Sequence, residues 1–286
     1  MGRMDGKVVF ITGAARGQGR AHAVRIAEEG GSVIATDLCA DISSNGYPLA
    51  TPEDLETTAR LVEKRGGRAV TLVADVRDRA ALVTAIEEGI REFGRLDGVV
   101  AQAGICPLGS TEPQAFMDAV AVDFVGVFNT IDVTLPHLGR GGSIVATGST
   151  AALIPGSLDS SAKGAGGMGY AWGKRAVSTI IHDLAVVLGP RGIRANAVHP
   201  TNVNTAMLNS RPMYRAFRPD LDDPTLEDVL PVLPAMTATG DPYVEPEDVA
   251  DAVLFLLSDE SKFVSGMQLR VDAGGYAKLR PQPPAF

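Results

Sequence analysis

The sequence predicts a single doubly wound α/β domain, in which helices cover both faces of a seven-stranded parallel sheet. The length of 286 residues suits one large domain and is ample for a hydrophobic core. Seven short apolar runs alternate with segments of helical periodicity, and this alternation is typical of right-handed crossovers between parallel strands. The runs are continuously apolar, as in strands buried on both faces.

The seven predicted strands share a short run rich in β-branched residues. They are residues 8–12, 32–36, 69–73, 98–101, 143–147, 194–198 and 268–271. Two helix starts carry clear signals, because Thr51 and Glu245 each precede a proline and two acidic residues. Two stretches interrupt the alternation: a turn-rich insert at residues 39–50, and a long proline-containing segment at residues 205–243.

Composition excludes several classes of function. The net charge is −8 and no Lys/Arg cluster is present, which argues against a nucleic-acid partner. Two cysteines, Cys39 and Cys106, are too few for a disulfide framework and suit a reducing compartment. We found no apolar run approaching the length of a membrane span, and the four histidines lack metal-ligand spacing. A soluble cytoplasmic protein without a metal is expected.

A glycine-rich loop, TGAARGQG at residues 12–19, follows the first predicted strand and opens a helix. Gly13, Gly17 and Gly19 permit a tight turn that brings backbone N–H groups and the helix N-terminus close to a pyrophosphate. Arg16 and Gln18 lie in the same loop. A glycine loop alone is weak evidence, since many such loops are only turns.

Asp37, at the end of the second predicted strand, strengthens the interpretation of the loop. A carboxylate there accepts hydrogen bonds from the adenosine ribose hydroxyls and repels a 2′-phosphate, which favours NAD over NADP. No basic residue follows at Leu38, although Arg16 is contrary evidence. Asp75 and Val76, after the third strand, are expected near the adenine ring. The alternative for Asp37 is an ordinary solvated acid.

Tyr170 and Lys174 lie four residues apart, on one face of a predicted helix. A tyrosine titrates near a pKa of about 10, and a neighbouring ammonium or positively charged nicotinamide lowers that pKa. Tyr170 is thus expected to take a proton from an alcohol or give one to a ketone. Ser149, at the end of the fifth strand, can hydrogen bond the developing alkoxide. Alone, such a pair is as often a surface feature.

In combination these motifs resemble the short-chain dehydrogenase/reductase family, whose fold is a Rossmann domain. The matching features are residues 12–19, Asp37, Asp75 with Val76, Ala103 with Gly104, Ser149, Tyr170 with Lys174, residues 200–205 and residues 271–275. The resemblance implies that Ser149 orients the substrate, Tyr170 is the acid/base, and Lys174 binds the nicotinamide ribose. It also implies that Val203 and Thr205 contact the carboxamide, that Ala103 and Gly104 bind the cofactor, and that the protein is a homotetramer.

A finer resemblance is to the mycofactocin-associated, carveol dehydrogenase-like branch. Residues 16–30, 47–63, 199–208 and 217–224 carry it. The branch implies tightly bound, poorly exchanging NAD that another redox carrier reoxidises. The insert at residues 39–50 is expected to fold over the adenosine, or else to be a plain surface loop. The apolar side chains of residues 205–243 are expected to form a substrate lid or a subunit contact.

Three positions depart from the family pattern. Gln102 replaces an asparagine that is mainly structural. Asp123 replaces an asparagine that helps hold a water chain to the lysine, so it is expected to add charge near Lys174 and is included among the catalytic residues. The interval between Ser149 and Tyr170 is long, and the extra residues 156–169 are rich in glycine and serine and are expected to be mobile.

The sequence therefore predicts an NAD-dependent oxidoreductase that interconverts a hydrophobic, terpenoid-like or carveol-like secondary alcohol and its ketone. An NADPH-dependent 3-oxoacyl thioester reductase is the alternative enzyme, and Asp37 argues against it. The alternative from another class is a non-catalytic NAD-binding sensor. The aspartate at position 123 is consistent with it, whereas the presence of Ser149, Tyr170 and Lys174 argues against it.

Overall fold

The computed structural model describes residues 2–154 and 163–279, and it contains one seven-stranded parallel sheet in the order β3-β2-β1-β4-β5-β6-β7. The strands are β1 (Val8–Thr12), β2 (Ser32–Asp37), β3 (Ala69–Val73), β4 (Leu96–Ala101), β5 (Leu138–Thr147), β6 (Arg194–Pro200) and β7 (Gln268–Val271). The doubly wound fold class is confirmed. Strand order reverses at β1, which pairs with both β2 and β4, so a crevice opens at the carboxyl ends of these strands.

The strand register brings three sequence-distant segments together at that crevice. Thr12, the last residue of β1, is paired with Thr36 in β2 and with Ala101 in β4. The residues that follow each strand, including Gly13 and Asp37, therefore lie side by side. The glycine-containing loops after β1 and β4 therefore meet the carboxylate of Asp37 at the end of β2, because parallel strands end at the same edge of the sheet.

Helices cover both faces of the sheet. They are α1 (Gly17–Glu28), α2 (Pro52–Lys64), α3 (Arg79–Phe93), α4 (Pro113–Val120), α5 (Gly126–Thr134), α6 (Thr150–Leu153), α7 (Gly164–Leu188), α8 (Arg211–Phe217), α9 (Leu226–Val229), α10 (Pro246–Leu257) and α11 (Gly275–Leu279). Thr51 and Asp54 form the capping box predicted at α2, and Glu245 and Asp248 form the one at α10.

Successive side chains of β1 pack into two separate hydrophobic cores, one on each face of the sheet. Phe10 packs with Ile86 and Ile181 in the layer of α3, α5 and α7. Val9 packs with Ile26 in the layer of α1, α2 and α10. All these side chains are fully buried, which explains why the strand is continuously apolar rather than alternating.

The segment at residues 205–243 forms α8, α9 and a short 3-10 turn around its own apolar cluster. Leu208, Val229 and Leu233 are buried there, and Met213 and Phe217 pack against them. Because prolines and short helices separate this segment from the sheet, it packs as its own cluster at the edge of the crevice. We refer to residues 205–243 as the lid segment.

One helical run departs from expectation. Pro113–His137 is long and apolar enough to cross a membrane by length and composition, with a hydropathy of 1.4 in its most apolar window. The expectation that no stretch approaches that length is therefore wrong. Half of this window is buried inside the protein, however, as in the core helix of a globular fold. A π-helical turn, Ala121–Val125, interrupts the run between α4 and α5.

Candidate active site

The glycine loop is shaped by close contacts that exclude larger side chains. Gly13 has a φ of 67°, and a Cβ there would lie 2.7 Å from the Cα atom of Ala103. A Cβ on Gly19 would lie 2.0 Å from the carbonyl oxygen of Gly13. Gly17, with a φ of 54°, opens α1. The loop thus turns tightly from β1 into α1 and directs the free N–H groups of the first helical turn into the crevice.

A first cavity of about 150 Å³ lies at this loop. Its lining includes most of the residues predicted to hold the cofactor, namely Gly13, Arg16, Gly17, Gln18, Asp37, Leu38, Asp75, Val76, Ala103, Gly104 and Thr205. Gly19 does not line it and instead allows close packing of the loop. The sequence-distant residues assigned to one ligand are thus brought to one site.

Asp37 is a mostly buried carboxylate on the wall of the first cavity. It accepts hydrogen bonds from the backbone N–H groups of Ala15 (3.0 Å) and Cys39 (3.2 Å). Burial raises its pKa above the ordinary value, against these hydrogen bonds and the charge of Arg16. The Arg16 guanidinium itself donates to the Pro48 carbonyl oxygen at 2.7 Å. The arginine that argued for a 2′-phosphate is therefore bonded to the insert.

Asp75 has a partner that sequence reasoning did not foresee. It forms a two-pronged ion pair with Arg77, with nitrogen–oxygen distances of 2.7 and 2.9 Å. Burial raises the pKa of Asp75, but the hydrogen bonds and charge of Arg77 outweigh burial and hold the pKa below its ordinary value. Asp75 lines the first cavity as predicted, with part of its acceptor capacity already used.

The insert at residues 39–50 forms one wall of the first cavity. Ile42, Tyr47, Leu49 and Ala50 line it. The buried Tyr47 hydroxyl accepts from the backbone N–H of Cys106 at 3.4 Å, and Ser44 donates to Asp118 in α4 at 2.6 Å. The insert is therefore tied by hydrogen bonds to the segment after β4 and to α4.

A second cavity of about 210 Å³ adjoins the first and carries the predicted chemistry. Ser149, Tyr170, Lys174 and Val203 line it, and Gln18, Gln102, Gly104, Thr205 and Met207 line both cavities. The lid segment contributes the large apolar side chains Leu208, Met213, Phe217 and Met236 to its wall, and Leu108 adds another. The two cavities form a continuous site with a polar junction.

Ser149, Tyr170 and Lys174 converge from two elements. Ser149 follows β5 and caps α6, accepting from the N–H of Ala151 at 3.2 Å. Tyr170 and Lys174 are one turn apart on α7, with the lysine Nζ 5.8 Å from the phenol ring centre. Lys174 Nζ donates to the Thr147 carbonyl oxygen at 2.9 Å, which fixes the ammonium beside the end of β5.

The pKa of Tyr170 moves in the direction opposite to our prediction. Burial raises it above its ordinary value, the negative charges near it reinforce the rise, and a hydrogen bond with Ser149 only partly opposes it. The predicted net lowering of this pKa is therefore not what the protein alone shows. Desolvation of the phenolate is the largest cause of the rise. Tyr170 therefore holds its proton at neutral pH.

Asp123 lies behind Lys174 and not on either cavity wall. The carboxyl group is fully buried, its Oδ1 atom is 3.5 Å from Lys174 Nζ, and the same oxygen accepts from the backbone N–H of Ile105 at 3.1 Å. Its Oδ2 atom has no hydrogen-bond partner. Burial outweighs the attraction of Lys174 and raises the pKa of Asp123 to about 7.

The sequence predicts Asp123 among the catalytic residues, and the structure places it in contact with Lys174, which lines the second cavity, rather than on the cavity wall itself. A role in positioning Lys174 is the one that this placement favours. Gly104 makes the contact possible, since a Cβ there would lie 2.6 Å from Asp123 Oδ1. Asn129 is no substitute for the missing asparagine, because its amide donates to the Val76 carbonyl oxygen at 3.0 Å.

Gln102 joins three elements at the junction of the cavities. Its Oε1 atom accepts from the Thr147 hydroxyl at 2.5 Å and lies 3.1 Å from Nε2 of His22. Burial lowers the pKa of His22 to about 4, so the imidazole is neutral at physiological pH. The sequence carried no signal for this network, because its members come from β4, β5 and α1.

Buried polar atoms without partners test whether a dinucleotide fits. In the described part of the chain, Oε1 of Gln18, Oγ1 of Thr201 and Nδ2 of Asn202 lack hydrogen bonds. All three residues line the second cavity, and Gln18 lines the first as well. Both a donor and acceptors are therefore available where a nicotinamide carboxamide would lie, and the residues fit such a group. Across residues 2–154 and 163–279, no cluster of three metal-ligating side chains occurs.

The glycine-rich stretch before Tyr170 is only partly described. Residues 155–162 lie outside the described residues. From Gly164 onward the stretch is helical, because Gly164 begins α7 and packs closely against the Ser110 carbonyl oxygen. A Cβ on Gly166 would lie 2.0 Å from the Pro107 carbonyl oxygen, so this glycine permits close packing.

Comparison with known proteins gives matches along nearly the whole chain. Residues 13–276 match the family model described as enoyl-(acyl carrier protein) reductase. The (−)-trans-carveol dehydrogenase of Rhodococcus erythropolis is 40% identical over 282 residues, which cover 96% of this chain and 99% of that protein.

Two solved structures are also similar. Carveol dehydrogenase from Mycobacterium avium in complex with NAD has a TM-score of 0.91 and 42% identity, covering 97% of this chain and 100% of that one. A short chain dehydrogenase from Mycobacterium paratuberculosis bound to NAD has a TM-score of 0.84 and 36% identity, covering 96% and 100% respectively. Proteins with this arrangement of strands and helices thus hold NAD.

Proposed function

The chain belongs to the short-chain dehydrogenase/reductase family, and from that premise we propose that it interconverts a hydrophobic secondary alcohol and its ketone. It is an oxidoreductase whose cofactor is NAD. One observation carries the proposal: Ser149, Tyr170 and Lys174 meet on the wall of a largely apolar cavity that opens into the dinucleotide crevice. In this proposal Tyr170 acts as the acid/base beside the nicotinamide that accepts the hydride.

The chemistry of the crevice agrees with NAD. Asp37 would accept from the ribose hydroxyls, and the N-terminus of α1 would face the pyrophosphate. A 2′-phosphate beside the buried Asp37 carboxylate would be repelled, with Arg16 already bonded to Pro48. Gln18, Thr201 and Asn202 would hold the nicotinamide end, together with Val203 and Thr205.

Each catalytic side chain has a distinct task. When bound, NAD supplies the carbon that accepts or returns the hydride. Ser149 hydrogen bonds the substrate oxygen and orients its carbon. Tyr170 gives its proton to a ketone oxygen or takes one from an alcohol, while Lys174 stabilises the negative charge that the phenol then bears. Because burial raises the Tyr170 pKa, oxidation of an alcohol requires added positive charge in the site.

The substrate is proposed to be a cyclic, terpenoid-like alcohol. The apolar lining from Leu108, Met213, Phe217 and Met236 favours a compact hydrocarbon body and excludes water during hydride transfer. Carveol dehydrogenases are among the similar proteins, which supports this class without identifying the compound.

A panel of cyclic secondary alcohols, including carveol, tests the proposal by the appearance of NADH. Short linear alcohols and an acyl thioester with NADPH serve as comparison substrates. Turnover of the thioester with NADPH, and of no alcohol with NAD, would replace the proposal by the 3-oxoacyl reductase alternative. Turnover of neither, with retained NAD binding, would favour a sensor.

Tight retention of NAD is a finer part of the proposal, in keeping with the mycofactocin-associated branch. The insert at residues 39–50 supports it, since its contacts with Cys106, Asp118 and Arg16 hold it against the first cavity. Another redox carrier would then reoxidise bound NADH. Stoichiometric NAD in the supernatant of denatured protein, and its loss when the insert is shortened, are the expected results. Unchanged retention without the insert would contradict its role.

A homotetramer is likewise proposed. Large apolar side chains are exposed on the described surface, namely Met117, Phe128, Trp172, Val186, Val187, Phe263 and Met267. Such side chains are available for contacts between subunits. Light scattering measures the mass directly, and a monomer would contradict this part. A cytoplasmic location stays a prediction.

A further inference from the structure

Lys163 is a second cation in the substrate cavity, and the chemistry described above does not use it. It lines the second cavity together with Cys106, Leu108, Met213 and Phe217. Apart from Lys174, it is the only lysine or arginine among the described residues that do so. Cys106, Leu108, Met213 and Phe217 are apolar or weakly polar, so a cation at this place in the wall requires an explanation.

The backbone of Lys163 is held rigidly at the start of α7. Its carbonyl oxygen accepts from the N–H of Gly109 at 3.0 Å. The next residue, Gly164, has a φ of 72°, and a Cβ there would lie 2.3 Å from the Ser110 carbonyl oxygen. The turn between Lys163 and α7 is therefore specific to glycine, and it gives the lysine side chain a defined direction.

The side chain extends to the lid segment. Nζ donates to the Ala216 carbonyl oxygen at 2.9 Å and lies 5.8 Å from the centre of the Phe217 ring. Burial lowers the pKa of Lys163 below its ordinary value. Within residues 2–154 and 163–279, no carboxylate lies within ion-pair distance of it. An ammonium has three N–H donors, and one of them is accounted for.

Among the described residues, a carbonyl oxygen and an aromatic ring are the contacts of this half-buried ammonium, and they compensate its desolvation only in part. A neutral leucine or methionine would extend the apolar wall at lower cost. The charge is balanced if the ligand itself brings a negative group to this end of the cavity. A carboxylate suits the role, since it accepts strong, charge-assisted hydrogen bonds from an ammonium.

We propose that Lys163 binds a carboxylate of the substrate, so that the enzyme acts on a hydrophobic hydroxy acid and its keto acid. This inference rests on the proposed function and narrows its substrate class. Hydride and proton move as for any secondary alcohol, and the carboxylate takes no part in bond making. Lys163 precedes Tyr170 by seven residues, about two turns at the start of α7, so the carboxylate would lie at the end of the substrate remote from the reacting carbon.

The opposing explanation is that Lys163 only fastens the lid segment to α7. The two explanations differ in how removing the Lys163 charge should change activity toward a negatively charged substrate and toward a neutral one. We would compare 4-hydroxycyclohexanecarboxylate with 4-methylcyclohexanol, which is similar in size but neutral. The variants are Lys163→Met, which keeps the apolar stem, and Lys163→Arg, which keeps the charge.

Arg215→Met is the matched control, because Arg215 also ties the lid segment through a backbone carbonyl, that of Asp222, without lining the second cavity. We expect Lys163→Met to lower kcat/KM for the carboxylate at least about tenfold, mainly through KM, and for the neutral alcohol less than about threefold. Lys163→Arg should keep most of the preference. An equal loss for both substrates, as expected of Arg215→Met, would leave Lys163 as a lid fastener and overturn the inference.

A binding measurement separates failure of this inference from failure of the proposed function. Cyclohexanecarboxylate, which has no hydroxyl to oxidise, should bind the NADH complex and lose at least about tenfold in affinity in Lys163→Met. Binding without any turnover would support the subsite and count against the dehydrogenase assignment. Turnover of neutral alcohols without carboxylate binding would support the dehydrogenase and reject the subsite.

Discussion

The two cavities of the site are built in different ways. The first is formed by backbone: glycine turns, the N-terminus of α1 and the ends of β1, β2 and β4. The second is formed by side chains, with catalytic groups on α7 facing an apolar lid segment more than thirty residues away in sequence. Backbone geometry tolerates little change and leaves glycine and carboxylate signatures in the sequence. A wall of apolar side chains tolerates repacking and leaves none.

If this contrast holds, substitutions that disturb the backbone turns of the first cavity should have the largest effects on function. Gly19→Ala forces a Cβ to within 2.0 Å of the Gly13 carbonyl oxygen, so the loop must move. We expect NAD affinity to fall by about a hundredfold or more, since the pyrophosphate-binding turn is displaced. Calorimetric titration with NAD measures the loss.

Gly139→Ala is the control for that variant, because nothing lies within 4 Å of its added Cβ. It should leave NAD affinity unchanged. Wild-type affinity in Gly19→Ala would show that the loop is more adaptable than its packing indicates.

A change at Asp37 tests the charge of the first cavity separately from its shape. Asp37→Asn removes the negative charge and keeps an acceptor for one of the two N–H groups, those of Ala15 and Cys39, because these bond different carboxylate oxygens. The preference for NAD over NADP should fall by about ten- to a hundredfold, mainly because NADP binds better. Steady-state kinetics with both cofactors measure the ratio. An unchanged ratio would mean that sterics, not charge, exclude the 2′-phosphate.

Asp123 lies behind the boundary of the two cavities, and its substitution should change activity less than substitutions at Gly19 or Asp37. Asp123→Asn keeps the acceptor for Ile105 and removes the charge 3.5 Å from Lys174. We expect kcat/KM to stay within about tenfold of wild type, about 1.4 kcal/mol of barrier. Complete loss of activity would show that the carboxylate itself is essential.

Asp123→Asn should also change how the free energy of unfolding depends on pH. Burial raises the pKa of Asp123 in the folded protein to about 7, so the folded state binds this proton more tightly than the unfolded chain does. The free energy of unfolding of the wild type should therefore fall, relative to Asp123→Asn, as pH rises from about 4 to about 7. Urea unfolding across this range measures the difference. A difference that does not vary with pH would mean the carboxyl does not titrate there.

Truncation in the lid segment should have the smallest effect. Met213→Ala removes part of the apolar wall, but neighbouring side chains can partly fill the space. We expect KM for a hydrophobic alcohol to rise about threefold to tenfold with little change in kcat. Kinetics with alcohols of increasing size measure this. A loss in kcat equal to that in KM would show that the lid segment also positions the reacting carbon.

Sequence reasoning succeeded where local pattern and fold coincide. The seven strands, the turn at Gly13, the carboxylate of Asp37 and the pairing of Tyr170 with Lys174 all follow from short-range signals that the sheet then assembles. It failed where the outcome depends on tertiary surroundings. The pKa of Tyr170 is set by desolvation rather than by the lysine four residues away.

Other features were hidden for the same reason. Gln102 meets His22 and Thr147 only through packing of α1 on the sheet. Asp123 lies behind Lys174 because a π-helical turn and Gly104 leave room for it. Lys163 enters the cavity through a glycine turn whose partner loop is fifty residues earlier. None of these contacts has a spacing that a single sequence reveals.

The central claim is that Tyr170 exchanges a proton with a hydrophobic secondary alcohol while hydride passes to NAD. The direct test is NADH formation from a cyclic secondary alcohol by Tyr170→Phe, with Tyr47→Phe as the matched buried control. We predict that Tyr170→Phe binds NAD as wild type does but loses at least about a hundredfold in turnover, whereas Tyr47→Phe retains most of it. Near-normal NADH formation by Tyr170→Phe would contradict the assignment.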